Sequence, residues 1–456
     1  MKSLHLKAGR DRSLKRRHPW IFSGAVEKVD GEPASGETVL VKSAGQPVAV
    51  AAWSPQSQIC ARVWSFDCSV FVDERFFKEK INRAVALRAS LPAFHHSNAL
   101  RLVHGESDGL PGLIVDRYAD VLVAQFLSAG AEKWREEILN SLVEITGCEA
   151  IFERSDAEVR ALEGLQPRTG FARGNREAKR CPIVEYGLHY RVDVEAGQKT
   201  GFFLDQRENR QRVRALAAGR EVLDAFCYTG GFSVAALAGG ATQVTAVDSS
   251  AAALEVAKEN LAANAMDVSR ISLEQADVFA YQRLLRERGK SFGLVVLDPP
   301  KFAPTAAQAK NAARAYKDIN LLALRLLKPG GLLATFSCSG GVSAELFAVE
   351  ASRPVEDAVR LMGEHDFSQI SVTKSGRIIG SLNESHLYDE FIRQPNCKLE
   401  PVETIMQPAF PFVDISTPVE AIATMITPEN PAVLVRDFKT DKTFIITRSD
   451  IIRVMM

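Results

Sequence analysis

The sequence lacks C-x-x-C pairs, a Walker lysine loop, a G-x-G-x-x-G turn and any apolar run of membrane-spanning length, and each gap removes a class of function. Its seven cysteines, Cys60, Cys68, Cys148, Cys181, Cys227, Cys338 and Cys397, are odd in number and scattered. That spacing argues against a disulfide framework and against zinc, so no metal is expected and the thiols should be reduced, in the cytoplasm. Without an apolar stretch of ~20 residues no membrane span is expected. No apolar core follows the N-terminal charges, so no targeting peptide is expected either. Net charge is zero, from 56 basic and 56 acidic residues, but residues 348–456 hold 11 basic and 16 acidic side chains, leaving 45 and 40 for residues 1–347. The front should meet a polyanion such as RNA; the back has no evident reason to. With 456 residues, 46% hydrophobic and 25% charged, the chain has room for three or four domains.

What is present begins with VLDAFCYTGGFS, Val222 to Ser233. An apolar strand carrying Asp224 runs through Phe226; Thr229, Gly230 and Gly231 then allow a tight turn into a helix near Phe232. Strand–glycine turn–helix edges are where nucleotide-like ligands approach the main chain. The alternation continues through QVTAVDS, ISLEQAD, FGLVVLDPPKF and GLLATFSCS, which read as four more strands of a parallel sheet. Each delivers a polar residue at the edge where such sheets bind ligands: Asp224, Asp248, Asp277, Asp298 and Cys338. Asp248, about twenty residues after the glycine turn, suits a ribose diol, and Asp277 an adenine amino group. Without a phosphate cradle the expected cofactor is S-adenosylmethionine. Asp248 and Asp277 could alternatively be helix caps.

Asp298-Pro299-Pro300-Lys301, followed by Phe302, narrows the reaction. Paired prolines stiffen the strand end and leave carbonyls free. Asp298 there can hold the ring nitrogen and amino group of an extruded base. Cys338 supplies what methylation of cytosine carbon-5 requires, a thiolate that adds to carbon-6. Its alternative is a small buried thiol. Cys227 is expected to pack.

Residues 1 to about 347 resemble the bacterial large-subunit ribosomal RNA cytosine-5 methyltransferases of the I type, on VLDAFCYTGGFS, VLDPPKF, TFSCSGG, GQKTGFFLDQREN, RHPWIFSGAV and HGESDGLPGLIVDRY. The resemblance implies an α/β chain with a PUA-like RNA-binding β barrel (1–80), a central linking α+β domain (81–185) and a Rossmann-like class I methyltransferase domain (186–347). It implies Cys338 as nucleophile and 23S RNA, protein-free or early in assembly, as substrate. Tyr228 in the turn and Gln198 and Asp205 in GQKTGFFLDQR would border the cofactor, with Phe202 and Phe203 in the core. At the front, Arg10, Arg12, Lys15, Arg16 and Arg17 sit beside a short, β-branched, turn-punctuated segment, which suggests phosphate contacts. Arg168, Arg173, Arg176, Lys179 and Arg180 form a second basic cluster in a Gly-containing linker, which could meet the same RNA or simply be exposed.

Beyond about Phe347 an internal repeat begins. Ser352-Arg353-Pro354-Val355-Glu356 recurs 64 residues later as Ser416-Thr417-Pro418-Val419-Glu420, and Asn383-Glu384-Ser385-His386 as Thr447-Arg448-Ser449-Asp450. The module (348–456) resembles a CBS-domain pair, which implies an AMP, ATP or S-adenosylmethionine site and a homodimer. The ribose-binding pattern is intact at Thr447 and Asp450 and altered at Asn383 and His386. The methyltransferase sheet is expected to stop after its fifth strand, leaving an uncovered edge. The abrupt join suggests a chimera of two proteins. A second function class is a non-catalytic adenosyl-ligand sensor or dimerising module on an inactive RNA-binding scaffold, and a third possibility is methylation of another base such as guanine.

Overall fold

The computed structural model describes residues 2–175, 180–301, 309–336, 348–350, 352–365, 369–374, 377–408, 412–414, 432–437 and 442–447. The chain divides into two compact units: residues 1–219, 227–244 and 250–273, and residues 220–226, 245–249 and 274–456.

The first unit opens with a six-stranded sheet in the spatial order Trp20–Ile21, Ala61–Ser65, Gln46–Trp53, Thr38–Ser43, Ser3–Leu6, Val26–Asp30. Thr38–Ser43 alternates half-buried and buried positions, as a strand with one core face must. Its Val39 and Val41 meet Leu4, Leu6, Ala49 and Val63. Helix Glu74–Ser90 follows, its first turn capped by the Asp73 carboxylate accepting from Phe76 N at 2.9 Å. A second sheet runs Arg168–Arg173, Ala150–Ser155, Val121–Phe126, Leu113–Tyr118, Ala99–His104, over a core that includes Phe77, Ile81, Leu122, Phe126 and Ile138.

The basic cluster read as a linker is corrected here. Arg168 and Arg173 belong to a paired strand and Arg180 starts the hairpin Arg180–Glu185/Leu188–Asp193. Arg168 pairs with Glu132 at 2.9 Å and Arg173 with Glu136 at 2.7 Å, while Arg180 pairs with Glu259. RTGFAR pairs antiparallel with Ala150–Ser155, and local acids consume the charge. Arg176 and Lys179 lie outside the described residues.

The nucleotide-type sheet is built from β1 (Glu221–Ala225), β2 (Gln243–Asp248), β3 (Ile271–Gln275), β4 (Phe292–Leu297) and β5 (Leu327–Thr335). The helices between them are α1 (Gly231–Ala238), α2 (Ala251–Ala263), α3 (Val278–Glu287) and α4 (Ala309–Arg325). The strand order is β3-β2-β1-β4-β5, with β4 parallel to β1 and to β5. Near-continuous apolar runs mark strands covered on both faces; Leu223, Val295 and Leu297 are fully buried. β5 starts at Leu327, four residues before the expected Gly331, and is the last strand of the order among the described residues.

A strand arrangement recurs toward the C-terminus. Ala348–Glu350 runs parallel to Gln369–Lys374, which forms an antiparallel hairpin with Arg377–Asn383. Phe412–Asp414, Ala432–Asp437 and Lys442–Thr447 repeat that pattern. Val355, Met362, Ile370, Leu382 and Cys397 share the core of the first copy. Among the described residues no helix is long and apolar enough to cross a membrane.

Candidate active site

In the order β3-β2-β1-β4-β5 the winding reverses between β1 and β4, the point where open α/β sheets bind ligands. In the second unit these two strand tips are tied together: Asp298 N donates to Ala225 O at 3.4 Å. Asp224 is buried on β1, and Phe226 follows in a left-handed conformation with φ 65°. Pro299 is buried, whereas Pro300 and Lys301 are exposed. β5 continues the line, since Phe336 N donates to Leu297 O at 2.9 Å. Phe302 and Cys338 lie outside the described residues, as does Asp450.

The two outer acids differ. Asp248 ends β2 half-buried, and Ser250 rather than Asp248 caps α2 by accepting from Ala253 N. Asp277 is itself a cap: its Oδ1 accepts from Ala280 N at 2.8 Å at the start of α3. The capping alternative raised from sequence therefore holds for Asp277.

In the first unit the turn after β1 is built on backbone strain. Tyr228 carries the strain at φ 49°, while Gly230 at φ 73° adopts a conformation open to glycine; strain at a non-glycine residue collects at ligand sites. A Cβ at Gly230 would come within 3.0 Å of Ala257 Cβ, so the residue also lets α2 approach. Thr229 is buried and its Oγ1 has no hydrogen-bond partner among the described residues. A buried hydroxyl in that state fits a polar ligand. Gly231 begins α1.

Asn260, which sequence reasoning missed, holds the turn from behind. Fully buried on α2, it donates to Thr229 O at 2.8 Å and accepts from Arg191 N at 2.6 Å. An asparagine amid the Ala-rich helix pattern was the available signal. Asn260→Ala leaves both backbone groups unsatisfied and should cost about 1–3 kcal/mol, read by urea unfolding, and weaken cofactor binding in titration calorimetry.

The segment GQKTGFFLDQR packs against this turn within the same unit. Gln198 N donates to Tyr228 Oη at 2.8 Å, and the Phe203 and Tyr228 rings meet edge to face at 5.6 Å. Lys199 reaches Asp205 at 3.2 Å and lies 4.4 Å from the Phe203 centroid. Burial pushes the Asp205 carboxyl up, but Lys199 and Arg210 outweigh it and hold it below its ordinary value. Phe202 is buried beneath the Arg210 guanidinium, 4.5 Å from its ring centre, while Phe203 is only half-buried. Arg210 in turn makes two 2.7 Å bonds to buried Glu185.

This flap is anchored from the central sheet. Asp116 accepts from Thr200 Oγ1 at 2.5 Å and from Arg101 Nε at 2.8 Å, and Tyr118 Oη accepts from Phe202 N at 3.2 Å. Asp116 and Tyr118 sit in HGESDGLPGLIVDRY, so the motif was visible but its tie to the flap was not. Nearby, burial and then the Arg101 charge push the His104 imidazole below its ordinary pKa. The unfolded chain therefore binds that proton more readily, and stability falls as pH drops from about 6.5 toward the folded value. Melting points between about pH 7.5 and 5.5 should fall more shallowly for His104→Gln than for the unaltered chain.

Comparison with known proteins agrees with this geometry. An S-adenosylmethionine-dependent methyltransferase family matches residues 173–364, a PUA-like domain residues 4–66 and a CBS domain residues 342–393. A solved chain from Streptococcus mutans, described as a SAM-dependent methyltransferase, shares the fold, with TM-score 0.62 and 22% identity over 80% of this chain and 90% of that one. A second solved chain, described as a methyltransferase complexed with SAH, shares the fold as well (TM-score 0.63, 23% identity, 80% and 90% covered). Fold and site thus define a class I S-adenosylmethionine-dependent methyltransferase with a PUA-like front. Ribosomal RNA large subunit methyltransferase I from Shewanella denitrificans is 45% identical over 389 residues, 83% of this chain and 98% of that protein. The same enzyme from Tolumonas auensis is 48% identical over 360 residues (78% and 91%), and from Pseudoalteromonas translucida 46% over 346 residues (76% and 87%). The chain belongs to the ribosomal RNA large subunit methyltransferase I family.

Proposed function

We propose that the chain transfers a methyl group from S-adenosylmethionine to carbon-5 of a cytosine in large-subunit (23S) ribosomal RNA. The observation that carries this is the joined tips of β1, β4 and β5: Asp298-Pro299-Pro300 beside Ala225, with Phe336 bonded to Leu297 two residues before Cys338. In this reading the buried Thr229 hydroxyl, the Gly230 turn and Asp224 border the cofactor. Asp248 is assigned to its ribose, Asp277 to its adenine amino group, and Gln198 and Asp205 to its border. The bound cofactor supplies an electrophilic methyl group. Asp298 holds the ring nitrogen and amino group of the extruded base, with Pro299, Pro300, Lys301 and Phe302 as its walls. The Cys338 thiolate adds to carbon-6, giving carbon-5 the electron density to take the methyl group. Loss of the carbon-5 proton then returns the electrons that expel the thiolate. Exposed Arg10, Arg12, Lys15, Arg16 and Arg17 take RNA phosphates, although Lys15 shares its charge with Asp11 at 2.9 Å.

In the same reading the chain is a cytoplasmic fusion whose C-terminal module takes AMP, ATP or S-adenosylmethionine at Thr447 and Asp450 and pairs with a second copy. His386 of the first copy is engaged instead, its Nε2 2.7 Å from Ile405 O, which supports a single competent site. The test is tritiated methyl transfer to unmodified large-subunit RNA, followed by mass spectrometry of the nucleosides. 5-Methylcytosine is the expected product; label on guanine would replace the thiolate mechanism by direct transfer.

A further inference from the structure

Between the N-terminal sheet and the central domain, inside the first unit, lies a cleft of about 370 Å³ whose walls include Arg17, Phe66, Lys80 and Glu106. Its polar groups are arranged unlike those of a packed seam. Arg17 follows the short helix Arg12–Lys15 in a left-handed conformation, φ 59°, which turns its guanidinium over the Phe66 ring, 5.9 Å from the centroid. Lys80 is half-buried on helix Glu74–Ser90 and lies 5.6 Å from the Phe76 ring centre. Neither cation has a carboxylate partner among the described residues. Burial and the neighbouring Arg83 lower the Lys80 pKa, the signature of an ammonium that gains from an anion. The floor is left open by Gly109 at φ 68°, where any Cβ would stand 2.8 Å from Lys80 Nζ.

The acid in the cleft is already oriented. Glu106 Oε1 accepts from Trp20 Nε1 at 2.7 Å and lies 4.0 Å from Arg62 Nε, so its charge is answered on that side. Two unpaired cations, a half-buried aromatic face and a carboxylate acceptor match one chemistry: phosphate, base plane and base-edge donor.

We infer that this cleft captures one unpaired nucleotide of the RNA substrate, its phosphate on Arg17 and Lys80 and its base against Phe66, with an amino edge toward Glu106. The inference rests on the RNA-methylation reading and adds to it a second point of contact, away from the reacting base. It also selects single-stranded over duplex RNA, because the base must leave its stack to enter.

The experiment is equilibrium binding of a fluorescent mixed-sequence single-stranded oligoribonucleotide, and of its duplex, to the full chain over a salt series. The single strand should bind more tightly than the duplex. Lys80→Ala should weaken it severalfold and reduce the slope of log affinity against log salt by about 0.7. Phe66→Leu should weaken it roughly tenfold with the slope unchanged, and Lys80→Arg should restore binding. Unchanged affinity and slope in both Arg17→Ala and Lys80→Ala, with the unaltered chain binding RNA, would overturn the cleft and leave the methylation reading standing. Equal affinity for duplex would also overturn it. An unaltered chain that binds no RNA would overturn both.

Discussion

Methyl transfer to large-subunit RNA should fall by roughly 10⁴-fold or more when Cys338 is replaced by alanine, the scale on which loss of a covalent nucleophile acts. The reason is electronic: carbon-5 of cytosine becomes nucleophilic only once carbon-6 carries a bond to sulfur. Asp298, proposed to hold the base, cannot substitute, since a carboxylate there would offer no electrons to the ring. Cofactor affinity should be unchanged, because the turn residues Thr229 and Gly230 are untouched. A second readout uses RNA with 5-fluorocytosine at the target. Carbon-5 then carries fluorine where the departing proton should be, so the unaltered chain should stay covalently attached on a denaturing gel. Cys338→Ala should leave no such band; full transfer by that variant would end the thiolate mechanism.

Replacing Asp116 by alanine should destabilise the first unit by about 3 kcal/mol or more, the cost of stripping one partner from a buried ion pair. Asp116 is fully buried and serves Arg101 and the Thr200 hydroxyl together. Removing it leaves the Arg101 guanidinium, only 25% exposed, without its acceptor. Tyr118→Phe is the milder change, expected to cost about 1 kcal/mol by freeing Phe202 N, while Thr200 Oγ1 keeps its bond to Asp116. Both loosen the flap that carries Gln198 and Asp205, so cofactor KM should rise more than kcat falls. Urea unfolding and initial rates across cofactor concentrations test this. An Asp116→Ala chain as stable as the original would remove the anchor from the account.

The alternating strands and helices of residues 221–335 were legible because strands buried on both faces read as apolar runs ending in polar tips. β4 and its Asp298-Pro299-Pro300 end are in that class. The front sheet was legible from short β-branched stretches such as Thr38–Ser43, and the family from its motifs. What escaped was long-range pairing. Thr200 and Asp116 are 84 positions apart, and no local pattern says which buried hydroxyl will find which carboxylate. Asn260 looked like one polar residue in an alanine-rich helix; only the fold aims it at Thr229 and Arg191. The cluster at Arg168 and Arg173 misled for the opposite reason, since composition counts positive charges and cannot see Glu132 and Glu136 opposite them. Asp277 is the reverse case, a polar strand tip that the fold uses as a helix cap.

The left-handed backbone at Phe226 and Tyr228 has a bearing on how far this chain can drift. Branched side chains at either position would clash with their own main chain, whatever their suitability for the chemistry. In a saturation library, valine, isoleucine and threonine should be purged at both sites while glycine and asparagine survive at reduced fitness. The inheritance of the pocket is thereby policed by dihedral sterics as much as by the ligand it faces.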